Sequence, residues 1–554
     1  MLLKKITIVI ALLLGALTPT PSANGADITA ADPIKIMDKL KPASGARGIL
    51  FLENAAAINP IGLIRYSHIP VFKSDGSIEP SDYWNWTKCS SWTDINCPKK
   101  SGFQAEGRLF LGTCLNDVEL GCIESFKVFN SSGAGKKLTL VEKSYGSSID
   151  IPEDSKLGIP RSSSPSVYQD EVGNFYVVRA GLFVVVTGTQ QPIYKFDADI
   201  TPVTRESDPS RPLPSVVNTV DPQTGLGLVN VTSGSPECAA VDVEICYKTK
   251  SFNTENQYLL SVRVPKKVSG WLRARVAEAK FDVKSKNINS QLITVTAKPV
   301  KVPIAGGWVK YAELPNGFIE KLWPSSGYDS NPKSSYYLVA DPSQGDRGLE
   351  EYSAWSPYLK EKAITSASNW SFGTNIGGSE ESCLNVPGKI SGFVASNASV
   401  YSSKPPEWDA ANSTLAFKVA APHNNENGNQ NLGTYTLAMP LSSIQCLYGK
   451  SKLPPSATIS IVYEKEVTTV ATVSLKSDSG WILFSADGFH YSSPTIKVKL
   501  AQEKPLTSSS NKGKQAVAAK KTVVKVKAIY CINGKISKRV SGVNPKCPFG
   551  YKKK

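Results

Sequence analysis

Three cysteine pairs in this chain repeat one interval: Cys89 and Cys97, Cys114 and Cys122, and Cys238 and Cys246 are each separated by seven residues. That spacing fits a disulfide across a short hairpin or loop, so the chain must turn back on itself at several closely spaced points. Cys383, Cys446, Cys531 and Cys547 complete an even set of ten. The simplest scheme joins Cys383 to Cys446 and Cys531 to Cys547, although sequence alone does not fix connectivity. Without C-x-x-C pairs or neighbouring histidines a zinc site has no support, and neither a metal nor a cofactor is expected.

Disulfides imply an oxidising compartment, and the first residues point to one. "MLLKKITIVIALLLGALTPTPSANGAD" carries two lysines, an apolar run from Ile6 to Leu17, then small and turn-forming residues. This is the pattern of a secretory signal peptide over residues 1–26, with cleavage after Gly25 or Ala26. The run is shorter than the roughly 20 apolar residues a bilayer requires, and no later segment approaches that length. The expectation is a soluble, exported protein without a transmembrane segment after cleavage, located outside the cell or on its wall or surface.

The 554 residues exceed what one core usually organises. Runs such as "FYVVRAGLFVVVTG" and "QLITVTAKPVKVP" have strand length and β-branched content. They predict a mainly β protein: several β-sandwich-like domains with one or two short helices, stapled by disulfides. The expected divisions are an N-terminal β-rich domain (27–212), a central β-rich domain (213–376), a C-terminal immunoglobulin-like sandwich (377–503), a basic flexible linker (504–530) and a basic module bracketed by cysteines (531–554). "ESDPSRPLPS" is read as the linker after the first domain. One helix is expected in "DPIKIMDKLK", with Asp32 as cap and Pro33 at the first helical position. A second is expected near 347–364, where Leu349, Tyr352, Trp355, Leu359 and Ala363 recur at helical spacing and Pro357 should kink or split it.

Charge is segregated. Of 63 lysines and arginines, two lie in the signal and fourteen follow Glu503, which leaves 47 against 47 acidic residues between Asp27 and Glu503. No Asp or Glu occurs after Glu503. A neutral body with a cationic end predicts that the end meets something anionic. In the closing segment the candidate contacts are Lys535, Lys538, Arg539, Lys546, Lys552, Lys553 and Lys554, presented by a hairpin stapled through Cys531 and Cys547. The expected partners are anionic cell-wall polymers, and possible partners of the body are glycans or other surface proteins. A specific nucleic-acid partner is not expected of an exported chain.

The closing "CINGKISKRVSGVNPKCPFGYKKK" resembles a short C-terminal module that follows unrelated bodies in exported actinobacterial proteins. "PPEWDAANSTLAFKVAAPH", "CLYG" and "GFHYSSPTIKVKL" are similar to the C-terminal β-domain of large uncharacterised secreted actinobacterial proteins. The resemblance implies a cell-surface or secreted location and brings no catalytic residues.

Catalytic signatures are absent: there is no G-x-S-x-G elbow, H-E-x-x-H or phosphate-binding loop, and His68, His423 and His490 are widely separated. Two carboxylates flanking a cleft would suffice for a glycoside hydrolase, and the chain offers 47 acids. Tyr83, Trp84, Trp86 and Trp92 surround Cys89 and form a possible ligand-stacking platform; the alternative is that these rings pack on the adjacent disulfide. The acids inside the seven-residue intervals, Asp94, Asp117, Glu119, Asp242 and Glu244, offer oxygens to calcium but lack a D-x-D-x-D-G pattern. The leading expectation is therefore a non-catalytic structural or binding protein of the cell envelope. The alternative is a secreted carbohydrate-active enzyme that uses the same tail for attachment.

Overall fold

Alternation of side chains explains the central strands. Along Phe175–Thr187, Tyr176, Val178, Ala180, Leu182, Val184 and Val186 are buried, while Gly181, Phe183 and Val185 stay half-exposed. Successive residues of a strand point to opposite faces, so this strand turns one face to the core and, beyond Arg179, the other towards solvent. The computed structural model describes residues 31–53, 62–68, 86–94, 103–130, 135–136, 138–143, 150–188, 191–210, 213, 216–220, 227–231, 237–323, 333–342, 346–374, 381–402, 404–449, 457–462, 467–470, 476–478, 480–491, 495–500, 527–533, 536–542 and 552–553. Strand outweighs helix by 54% to 11%, as expected of a mainly β protein.

Among the described residues fifteen strands form one large sheet. Its main path runs Thr87–Cys89, Leu63–His68, Phe103–Phe110, Phe175–Thr187, Ile193–Ser207, Ser371–Thr374, Gly270–Arg275, Ile390–Ser396, Leu432–Pro440, Trp481–His490 and Lys476–Asp478. Gly270–Arg275 and Ile390–Ser396 pair in parallel. A five-stranded sheet, built on Cys122–Phe129, Gln257–Pro265 and Ser290–Lys298 with Ala277–Ser285 at one edge, lies face to face with part of it. Leu260, Val262, Ile293 and Val295 share one core with Val178, Leu182, Phe196 and Phe372. Phe281 stacks on Phe393 at 4.7 Å and meets Trp481 edge-on at 4.8 Å.

All six strand-length pieces expected in 377–503 are strands, and they divide between two sheets around a second core. Leu415, Phe417 and Val419 from Thr414–Ala420 pack against Tyr435, Leu437 and Phe484 from the large sheet.

The stretches drawn as three successive body domains interlock. Cys122–Phe129 pairs with Gln257–Pro265 across the expected break at 212, and Gly270–Arg275 pairs with Ile390–Ser396 across the one at 376. The presumed linker at Glu206 begins inside the strand Ile193–Ser207. One compact unit ends at Gln502 and a second covers Glu503–Lys554.

Helices occur where the sequence pattern placed them, at Ala31–Lys39 and Arg347–Trp355, and the second gives way to a 3-10 turn, Ser356–Tyr358, at Pro357. Phe318–Leu322 and Leu441–Tyr448 are further helices, the latter closed by Gly449 at φ 62°, a conformation glycine adopts without strain. Among the described residues no helix is long and apolar enough to cross a membrane.

In the second unit Lys527–Asn533 and Ile536–Gly542 form an antiparallel hairpin, and Lys552–Lys553 pairs with the outer side of the first strand. Cys531 stands opposite Lys538 and Lys553, Ile532 opposite Lys552, and Tyr530 opposite Arg539. Lys535, Lys546, Cys547 and Lys554 lie outside the described residues.

Candidate binding face and its ionic clamp

Disulfides close Cys114 to Cys122, Cys238 to Cys246 and Cys383 to Cys446, matching three of the expected pairs. Cys89 is disulfide-bonded as well; Cys97 lies outside the described residues. Glu119 and Asp94, two of the acids in these loops, have protein partners. Glu119 accepts from Arg161 Nε at 2.5 Å and from the Leu115 amide at 2.6 Å, and burial, which would raise its pKa, is outweighed by these bonds so that its carboxyl is held below the usual range. Asp94 accepts from the Ser90 amide and hydroxyl, both at 2.7 Å. Cys114, Glu119 and Cys122 lie close enough to resemble a metal-ligand group, but the two sulfurs are bonded to each other.

The aromatic cluster resolves into separate roles. Trp92 is buried at 3% exposure and lies over Gly107, where a Cβ would come within 2.5 Å of its ring. It is a core residue, as the packing alternative had it, and cannot stack a ligand. Trp86 is half-buried beneath the Arg65 guanidinium, 4.2 Å from the ring centroid. Tyr83 and Trp84 lie outside the described residues. His423 is also structural: its Nδ1 donates to the Tyr491 carbonyl at 2.8 Å, and Gln430 approaches Nε2 at 3.2 Å. The polar stretch "HNNENGNQN" is pinned as a connection.

Sequence reasoning missed an ionic clamp in which the Glu53, Arg273 and Arg275 side chains are buried and Asp197 is half-exposed. Asp197, Gly373 and Arg273 are register partners on three adjacent strands. Because Gly373 has no side chain, Arg273 reaches across it to Asp197, Nη2 to Oδ1 at 2.8 Å. Its Nη1 donates to Glu53 Oε1 at 2.8 Å, and Arg275 Nε donates to Glu53 Oε2 at 2.5 Å. Arg275 also donates to the carbonyls of Ser396, Ala398 and Ser399 and lies 4.3 Å from the Tyr401 ring centroid. Glu53 and Asp341 follow the parallel strands Ala46–Phe51 and Tyr336–Ala340, whose last register pair is Phe51 and Ala340. Burial, with Glu53 and Asp341 adding to it, pushes the Asp197 carboxyl upward against Arg273 and Lys195. Burial and Glu53 push the Tyr401 phenol up to about 12.

Beside the clamp one face of the large sheet is exposed at some described positions and closed at others, with Leu63 and Phe110 buried and the Glu106 side chain largely covered. Three cross-strand rows follow from the register: Lys88–Arg65–Glu106–Val185–Ile193, then Leu63–Arg108–Phe183–Lys195, then Phe110–Gly181–Asp197–Gly373–Arg273. Arg65 is bidentate on Glu106 Oε2, at 3.2 and 2.9 Å. Arg108 is exposed, Ile193 is 65% exposed, and Phe183, Val185 and Lys195 are half-exposed.

No family of proteins, curated protein or solved structure matches the chain.

Proposed function

We propose that this is an exported, non-catalytic binding or structural protein of the cell envelope, whose cationic terminal unit holds it to anionic wall polymers, as the actinobacterial resemblance implies. The observation that carries this reading is the coincidence of a charge boundary with a structural one. Fourteen lysines and arginines and no acid follow Glu503, and the second compact unit begins at that residue. A linker that merely kept the terminus soluble would need neither a hairpin nor a cysteine opposite two lysines.

The hydrolase alternative draws less support from the body. The acids that meet in the clamp are engaged: Glu53 binds two guanidiniums and Asp197 one. A retaining or inverting glycosidase instead needs one carboxyl free to give a proton and another facing the sugar.

The test combines two measurements on the intact mature protein. Changing Lys535, Lys538, Arg539, Lys546 and Lys552 to Lys554 to Gln should abolish co-sedimentation with purified bacterial cell walls. A panel of chromogenic glycosides, esters and peptides should show no turnover. Unchanged sedimentation would remove the anchoring role, and turnover lost on changing a single acid to its amide would establish the enzyme reading.

A further inference from the structure

We propose that one end of the five-stranded sheet docks on a lipid surface, inserting Leu115, Val118 and Ile288 among the acyl chains of a zwitterionic membrane. The proposal goes beyond wall anchoring: it concerns the body and gives the cationic tail no part. The loop closed by Cys114 and Cys122 leads into the strand Cys122–Phe129, and residues 286–289 turn the chain between Ala277–Ser285 and Ser290–Lys298. Both segments lie at the end of the sheet marked by Arg263, the register partner of Cys122 on one side and Leu292 on the other. Lys286 links them, its Nζ 3.5 Å from the Asp117 carboxylate.

Three observations select the occupant. The first is an inversion of the usual loop pattern. Leu115, Val118 and Ile288 are 76%, 77% and 84% exposed, whereas polar groups of the same loops turn inward. Glu119 accepts from the Leu115 and Asn116 amides, Asn116 Oδ1 accepts from the Val118 and Glu119 amides, and Arg263 donates to the Asn116 and Glu119 carbonyls. In the neighbouring turn Asn287 Oδ1 accepts from the Asn289 and Ser290 amides. Hydrocarbon offers a backbone group no hydrogen bond, so loops that bond their own amides and carbonyls in this way enter it at low cost. The second is shape. The three side chains stand at the tips of two turns, and three aliphatic groups fall well short of the roughly 800 Å² per partner that a stable protein interface buries. The third is charge. Asp117 and Glu124 lie against Arg263 and Lys286, and Asp282 lies against Lys284. Asp117, between the two loop tips and 91% exposed, stays among the headgroups with these two cations beside it. Lys266, exposed beside Asn289, adds a cation for a headgroup phosphate. With its other charges paired, this end draws on apolar burial rather than on an anionic surface.

The experiment sediments the intact mature protein with sucrose-loaded phosphatidylcholine vesicles at about 1 M salt, where a Debye length of about 3 Å silences the tail. About half the protein should be bound near 1 mM lipid, a partition weaker than the roughly 10⁴ M⁻¹ of a single myristoyl chain. Leu115→Ser, Val118→Ser and Ile288→Ser should each lower the partition constant about tenfold, and the triple variant should not sediment, with thermal unfolding unchanged throughout. Ile288→Trp should gain blue-shifted emission that lipids brominated along their acyl chains quench. Absence of sedimentation with phosphatidylcholine overturns the proposal, as does sedimentation that ignores the serine variants. Binding that requires phosphatidylglycerol would be an electrostatic contact, and a bound Ile288→Trp that brominated chains leave unquenched would place the tips outside the membrane, as a protein-docking role would; either also overturns it. Wall retention of the intact chain through its tail would stand under all of these outcomes.

Discussion

At Gly373 the lack of a side chain lets Arg273 cross one strand and close on Asp197. A Cβ there would lie 2.7 Å from the Phe196 carbonyl oxygen and closer still to the Asp197 carboxylate. Gly373→Ala should cost about 3 kcal/mol by overpacking, measured by urea unfolding of the body. Glu53→Gln should cost about 3–5 kcal/mol, since it leaves two buried guanidiniums short of their shared countercharge. Asp197 gives a pH signature. Its carboxyl is raised above the ordinary 3.8 in the folded protein, so the folded state holds this proton more tightly than the unfolded one. Its contribution is present below that ordinary value and is lost as pH rises through the raised one. The stability of the parent relative to Asp197→Asn should therefore shrink from pH 3.5 to pH 7; a gap that widens with pH would mean that Arg273 dominates. None of these roles could be read from the sequence, because Glu53, Asp197, Arg273, Gly373 and Tyr401 come from five distant segments and each looks unremarkable alone. Trp92 is the reverse case: its buried packing role was one of two legible alternatives.

Among the elements, strands were the most legible. Strand length, β-branched content and closely spaced turn residues mark "FYVVRAGLFVVVTG" and the six pieces after Gly377. Leu441–Tyr448 was hidden because "LSSIQCLY" follows a strand without a polar break, and only Pro440 and Gly449 signal its ends. The disulfides act at this scale too. Cys114–Cys122 spans a sequence separation of 8 and Cys383–Cys446 one of 63. In the chain-entropy account the short loop contributes about 2.6 kcal/mol and the long one about 4 kcal/mol. Replacing each pair with serine should lower urea stability in that order; equal losses, or a larger loss at Cys114 and Cys122, would show that local packing governs instead.

At the scale of the whole molecule the body division was illegible in the sequence. Pairings between residues 122–129 and 257–265 are set by tertiary fit, and no local pattern announces a partner more than a hundred residues away. The boundary near 503 was legible because it coincides with the change in charge. That coincidence also makes the central claim measurable. Binding of the intact mature protein to purified bacterial cell walls should be followed from about 0.01 to 1 M salt, beside a chain ending at Gln502. Over this range the Debye length falls from about 30 to about 3 Å. The account predicts strong retention in dilute buffer that is lost as salt rises, and far weaker retention of the shortened chain. Equal retention of both chains, or retention indifferent to salt, would contradict it.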